Sequence, residues 1–131
     1  ELYSNALEHG VLHLDSALKC TPEGFAQYYA ERASRLDGID RGAISLSLAA
    51  KPVDRGYRFE LTIRDSGGGF DHEAAIGRAL AGEDDAGRLY GRGLRMVLGL
   101  CESVRYTDRG SAVEAVYVLR LAEQARIAAN R

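Results

Sequence analysis

Three groups of residues in this chain have types and spacings that can do chemistry. Glu1, Asn5 and His9 stand at i, i+4 and i+8, so on an α-helix they project from one side, one turn above another. A carboxylate and a carboxamide stacked this way offer oxygen ligands to a hydrated Mg²⁺ and its phosphates, the kind of site in which one or two protein groups suffice. They would equally form an ordinary solvated helix face. Asp65 ends an alternating segment and is followed by Ser66-Gly67-Gly68-Gly69-Phe70. A carboxylate there can accept a hydrogen bond from an exocyclic amine, and Gly67 and Gly69 let a flat ring approach the backbone. A glycine-rich turn closed by its own Asp is the alternative. Gly91-Arg92-Gly93-Leu94 opens a helical stretch. Unbonded N–H groups and the positive end of the helix dipole suit an anion there, and Arg92 suits phosphate. Neither GxxxxGK[ST] nor GxGxxG occurs at this point, which excludes the P-loop and Rossmann readings. A hinge between loop and helix is the alternative.

The elements that must position these residues follow from periodicity. Residues 1–10 contain good helix formers and end in Gly10, a plausible stop, with Leu2, Ala6 and Leu7 toward a core. Residues 11–21 form a short connection. Thr21-Pro22 reads as an N-cap followed by Pro at the first helical position, opening a helix to about Leu36. Residues 43–50 and 57–64 alternate apolar and polar with period two, each expected to bury one face, and Lys51–Gly56 is expected to turn between them. The acidic, Ala/Gly-rich segment 71–92 has the composition of a mobile loop with one short helix near 73–81. A helix from Leu94 to about Cys101 follows, then strands near 103–107 and 112–121 around Asp108-Arg109-Gly110, and a helical or frayed tail. This order predicts an α+β fold: a two-layer sandwich with a mixed, mostly antiparallel sheet and helices on one face.

Composition sets outer limits. The chain has 131 residues, 46% hydrophobic and 27% charged, enough for one domain with a real core and no metal or disulfide staple. A net charge of −2 argues against a general nucleic-acid binder. Cys20 and Cys101 match neither a zinc nor a CxxC pattern and are expected to be thiols in a reducing, cytoplasmic compartment. No apolar run is long enough to span a membrane or to serve as an export signal.

The order of the three groups carries a resemblance. ELxxNAxEHG at residues 1–10 resembles the N box of the GHKL ATPases. Asp65–Phe70 is similar to their DxGxG G1 box, Gly91–Leu94 to their GxGL G2 box, and Gly110-Ser111-Ala112-Val113 to their GTxV element, with Ser111 in the Thr position. The resemblance covers residues 1 to about 121 and is nearest to the anti-sigma-factor serine-kinase branch. The connection at 11–42 resembles that of ATPase domains joined to a PP2C-like phosphatase in bacterial response regulators.

The resemblance implies a Bergerat ATP-binding fold whose usual preceding strand and helix lie outside this sequence, with 71–92 as the ATP lid. It implies ATP and Mg²⁺ as cofactors, Asn5 as the metal ligand, and Asp65, Gly67, Gly69, Gly91, Arg92, Gly93, Leu94 and Ser111 around the nucleotide. Glu1 is implied as the base toward a protein serine. The implied partner is an anti-sigma-factor antagonist, a sigma factor, or both, in partner-switching signalling, with no direct role for nucleic acid or membrane. Two alternatives stay open: a non-catalytic, nucleotide-switched binding module, and a sensor-histidine-kinase core. The sequence leaves the oligomeric state open, a homodimer included.

Overall fold

The computed structural model describes residues 1–81 and 92–121. Four strands form one sheet in the order β1-β2-β4-β3: β1 is Ile44–Val53, β2 Gly56–Asp65, β3 Ser103–Thr107 and β4 Ala112–Arg120. All three pairings are antiparallel, so the mixed component of the expected sheet does not occur among the described residues. The fold is the expected α+β two-layer sandwich.

The period of two sorts the sheet into unlike faces. On one, Ile63 of β2 and Val113 and Ala115 of β4 pack with Leu2 and Ala6, flanked by Ile44, Leu61, Val104, Val97 and Cys101. The other face carries ion pairs: Lys51 with Glu60 and Arg105 with Glu114 across strands, Arg58 with Glu60 within β2, and Arg58 with Glu102 just before β3. These pairs are solvent-exposed and favour register more than stability.

The hairpin turn is tighter than expected. β1 continues through Lys51, Pro52 and Val53, and the register joins Val53 to Gly56, leaving only Asp54-Arg55 as the loop. Pro52 is tolerated because β1 is an edge strand and loses no ladder donor there. A second difference concerns burial. Leu46 and Leu48 pair with Ile63 and Leu61 on the helix-side face, yet they are 57% and 60% exposed. No described helix reaches that part of the sheet.

Helix α1, Leu2–Asn5, continues without a break into a π-helical segment, Ala6–Val11. Gly10 therefore does not stop the helix; it lies inside the widened turn, and Leu12 N–H closes it on the Leu7 carbonyl at 2.8 Å. A 3₁₀ turn, Ser16–Cys20, is capped by Asp15, whose side chain accepts from Ala17 N–H. Helix α2, Pro22–Asp37, begins as its sequence dictates: Thr21 Oγ1 accepts from Gly24 N–H at 3.0 Å, with Pro22 at the first position. Helices α3, His72–Ala81, and α4, Arg92–Leu100, complete the layer. Of the lid expected at 71–92, residues 72–81 form α3, Arg92 opens α4, and 82–91 lie outside the described residues, as does the tail beyond Leu121. Cys20 and Cys101 form no disulfide. No described helix is long and apolar enough to cross a membrane.

Helix α2 packs on the π segment, where Leu12, Leu14 and fully buried Tyr28 form a second small core. Glu8 ties the two together. Its carboxylate accepts from Tyr28 Oη at 2.6 Å and Arg32 Nε at 2.9 Å, with Lys19 Nζ at 3.6 Å. Burial alone would raise the Glu8 carboxyl, but the Tyr28 hydrogen bond and the charges of Lys19 and Arg32 outweigh it, leaving the pKa below the ordinary value. Burial and the same carboxylate push the Tyr28 hydroxyl well up.

A depressed carboxylate pKa stabilises the fold above its unfolded value, and that contribution is lost as pH falls through the folded one. Glu8→Gln should therefore destabilise the domain by about 2 kcal/mol at neutral pH. In urea unfolding across acid pH, the gap to wild type should close as Glu8 itself becomes protonated; a pH-independent gap would contradict this role.

Candidate functional site

Asp65 is the last residue of β2 and the only buried charged residue among those described, 7% exposed. Its backbone N–H donates to the Ser111 carbonyl at 2.8 Å, which locks it to the start of β4. Its Oδ1 accepts from Gly67 N–H at 2.8 Å, so the turn-closing role open at sequence level is present. Burial raises the Asp65 carboxyl, partly offset by the Gly67 N–H and by the charge of His13. A buried carboxylate with one backbone donor retains acceptor capacity, the property required to receive an amine.

Two glycines permit this arrangement. A methyl built on Gly10 would lie 2.4 Å from the Asp65 carboxyl carbon, and one on Gly67 would lie 1.8 Å from the Gly10 carbonyl oxygen. The π segment thus crosses the Asp65–Gly67 turn at backbone contact. Gly69 has φ +81°, and a Cβ there would strike the Arg109 carbonyl at 2.1 Å. Its neighbour Phe70 donates its N–H to that same carbonyl at 3.0 Å.

The turn that braces Gly69 is itself left-handed. Asp108, Arg109 and Gly110 all have positive φ, a conformation costly for the first two. Arg64 pairs with the Asp108 carboxylate, and Ser111 donates its hydroxyl to the Asp108 carbonyl at 2.8 Å. Ser111 therefore lines the site while its hydroxyl proton is engaged within its own turn.

Asn5, Asp65, Phe70, Tyr106, Gly110 and Ser111 border one crevice, floored by Leu2, Ala6, Ile63 and Val113. It is a shallow cleft with about 10 Å³ of room, little more than one water, against the roughly 300–1,000 Å³ of most small-molecule sites. Phe70 and Tyr106 meet edge to face at 5.4 Å, and His72 stacks on Tyr106 at 5.4 Å. Entry of a purine requires these rings to move. The Tyr106 hydroxyl is buried beside Asn5 and, alone among the described buried side-chain atoms, lacks hydrogen-bonding geometry to any partner. Burial raises its pKa.

The other end of the site begins at Glu1. A methyl on Gly93 would lie 1.8 Å from the Glu1 carboxyl carbon, so this carboxylate rests on the first turn of α4. A negative group is favoured there by the helix dipole. Leu94 is buried beneath, Arg92 is exposed, and Gly91 lies outside the described residues. Asp65 and Glu1 thus mark opposite ends of α1 and its π extension, on the order of 12 Å apart by helical rise, with Asn5 between. His9 donates Nδ1–H to the Leu14 carbonyl at 2.9 Å and braces the π segment.

No cluster of three or more His, Cys, Asp or Glu suited to a metal occurs among the described residues. The Asn5 carboxamide is a single oxygen donor, which fits Mg²⁺ only when phosphates and water complete the shell. Sequence reasoning missed Tyr106 and the π turn. Tyr106 occupies an ordinary alternating position of β3, and nothing in ALEHGV distinguishes a widened turn from an α-helix.

The Gly10 crossing gives a test. Gly10→Ala should destabilise by at least about 2 kcal/mol, because neither the Asp65 carboxylate nor Gly67 has room to yield. Gly77→Ala, in α3 with nothing within 4 Å of the added methyl, should instead stabilise by about 0.5–1 kcal/mol. Equal responses in urea unfolding would contradict the crossing.

Comparison with protein-family models, with curated proteins and with solved structures returned no match.

Proposed function

We propose that the chain is an ATP-binding domain of the GHKL type that transfers phosphate to a serine of an anti-sigma-factor antagonist. The observation that carries the reading is the order of groups along the N-terminal helix: Asp65 and Asn5 share one crevice, and Glu1, one turn before Asn5, lies against the start of α4. In this reading Asp65 accepts from the adenine amine and the Gly67–Gly69 backbone faces the ring. The first turn of α4 receives phosphate, displacing the Glu1 carboxylate toward the γ-phosphate. Asn5 would hold Mg²⁺, which neutralises phosphate charge when bound.

The transfer forms a bond from the serine oxygen to the γ-phosphorus and breaks the β–γ bridging bond. ADP leaves, and the hydroxyl proton passes to Glu1. Positioning and charge neutralisation supply most of the rate. Tightness of the crevice supports a second reading, a binding module for a sigma factor or antagonist in which nucleotide acts as a switch and no phosphate moves.

Asp65→Asn should weaken Mg·ATP binding at least tenfold in titration calorimetry, about 1.4 kcal/mol. Glu1→Gln should keep that affinity while phosphate incorporation into the antagonist falls by orders of magnitude. Unchanged affinity in the Asp65 variant would refute the nucleotide reading. A wild-type protein that grips its partner without phosphorylating it would favour the binding module.

A further inference from the structure

The Tyr106 ring and the Tyr106 oxygen have different explanations. The ring stands on β3 opposite Val113, packs against the core that includes Leu2 and Ala6, and meets Phe70 and His72. A phenylalanine would do all of this. The oxygen does nothing for the fold: it is buried, and no group is placed to hydrogen-bond it. A sealed hydroxyl in that state costs free energy that a phenylalanine would not. No step of the proposed transfer uses it either.

Its surroundings narrow what it can do. Asn5 lies beside it and lines the same crevice. Burial, and after it the Glu1 charge, raise the hydroxyl pKa against the pull of Asn5, so the group is a neutral O–H with free lone pairs. Leu2, Ala6, Ile63 and Val113 on the crevice floor carry no polar side-chain atom.

Asn5 has an ambiguity that such a neighbour resolves. A carboxamide carries an oxygen and an NH2 on two ends of nearly equal shape, and only the oxygen can ligate Mg²⁺. Half a turn about the last side-chain bond exchanges them. The Asn5 backbone is fixed, its N–H bonded to the Glu1 carbonyl at 2.9 Å, so the orientation is decided by what the side chain meets. An acceptor that takes the NH2 leaves the oxygen for the metal. Of the other polar groups on the crevice wall, Ser111 is engaged in its own turn, and in the nucleotide reading Asp65 is taken by the adenine amine.

We propose, on the nucleotide reading above, that Tyr106 is a positioning residue for the metal: as Mg²⁺ and nucleotide bind, Asn5 Nδ2–H donates to Tyr106 Oη, and the carboxamide oxygen is thereby turned to the metal. Tyr106 can hold this place while a purine enters, because it is set in β3 against the core. The rings part by movement of Phe70, which lies between β2 and α3. The hydrogen bond is made only with metal and nucleotide in place, so its free energy adds to their affinity rather than to the fold. An unpartnered hydroxyl next to the one proposed metal ligand is what such a device requires.

Tyr106→Phe keeps the ring contacts and removes only the oxygen. In urea unfolding without nucleotide its midpoint should equal or exceed that of wild type, since a buried unpartnered hydroxyl is lost. Titration calorimetry with a non-hydrolysable ATP analogue, once in Mg²⁺ and once in EDTA, gives the factor by which metal strengthens binding. Tyr106→Phe should cut that factor about tenfold. Asn5→Ala should cut it at least as far, and the double variant no further than Asn5→Ala alone. A metal factor untouched by Tyr106→Phe, equal weakening with and without metal, losses that add in the double variant, or a lowered urea midpoint would each overturn the role of Tyr106 and leave nucleotide binding standing. A wild-type protein that binds no nucleotide would overturn the nucleotide reading, and this inference with it.

Discussion

The contact of Gly10 with the Asp65–Gly67 turn is the constraint on which the rest of the structure depends. Backbone meets backbone and a carboxylate there, at separations that admit no methyl group at Gly10 or Gly67. This contact fixes the height of the N-terminal helix over the sheet, and with it the position of Asn5 in the crevice and of Glu1 beyond it. It also buries Asp65, which is why that carboxyl is raised rather than lowered even though a backbone N–H and His13 both favour its charged form. The π turn serves the same end: the extra residue per turn lets Gly10 cross the strand end while Leu2 and Ala6 keep their places in the core.

Around this contact the molecule spends stability to hold geometry. Two non-glycine residues, Asp108 and Arg109, are kept left-handed so that Gly110 and the Arg109 carbonyl can brace the Gly69–Phe70 backbone. The Tyr106 hydroxyl is sealed with only the Asn5 side chain beside it, short of good hydrogen-bonding geometry. An unsatisfied hydroxyl and a strained turn on the rim of one crevice are features that packing alone does not favour. By contrast, the Glu8 network is fully satisfied and sits on the far side of the π segment, where it anchors α2. The two halves of the N-terminal helix therefore do different work, one facing the crevice and the other fastening the helical layer.

Much of this was legible in the sequence wherever a local signal has one structural meaning. Thr21-Pro22 opened α2, the period of two marked β1 and β2, the Asp108-Arg109-Gly110 turn separated β3 from β4, and the motif order put Asp65 and Asn5 on elements that do meet. The signal failed where meaning depends on what lies opposite. Gly10 reads as a helix stop, because a stop and a close crossing use the same residue. Leu46 and Leu48 alternate as a buried face would, yet the alternation records only that one face is apolar, not that this chain covers it. Lys51–Gly56 has turn composition, but the antiparallel register drew three of its residues into β1. Tyr106 and the Glu8–Tyr28 pairing were invisible because each depends on contacts between distant segments.

The proposed function requires that the crevice lined by Asp65 and Asn5 receive an adenine nucleotide once the Phe70 and Tyr106 rings part. An ¹⁵N-labelled sample titrated with the Mg²⁺ complex of a non-hydrolysable ATP analogue tests it residue by residue. The account predicts saturable amide shifts concentrated at Asn5, Gly10, Asp65 through Phe70, Tyr106 and Gly93, with the charged face of the sheet unmoved. No shifts at millimolar nucleotide, or shifts scattered over Lys51, Arg58 and Arg105 instead, would contradict it.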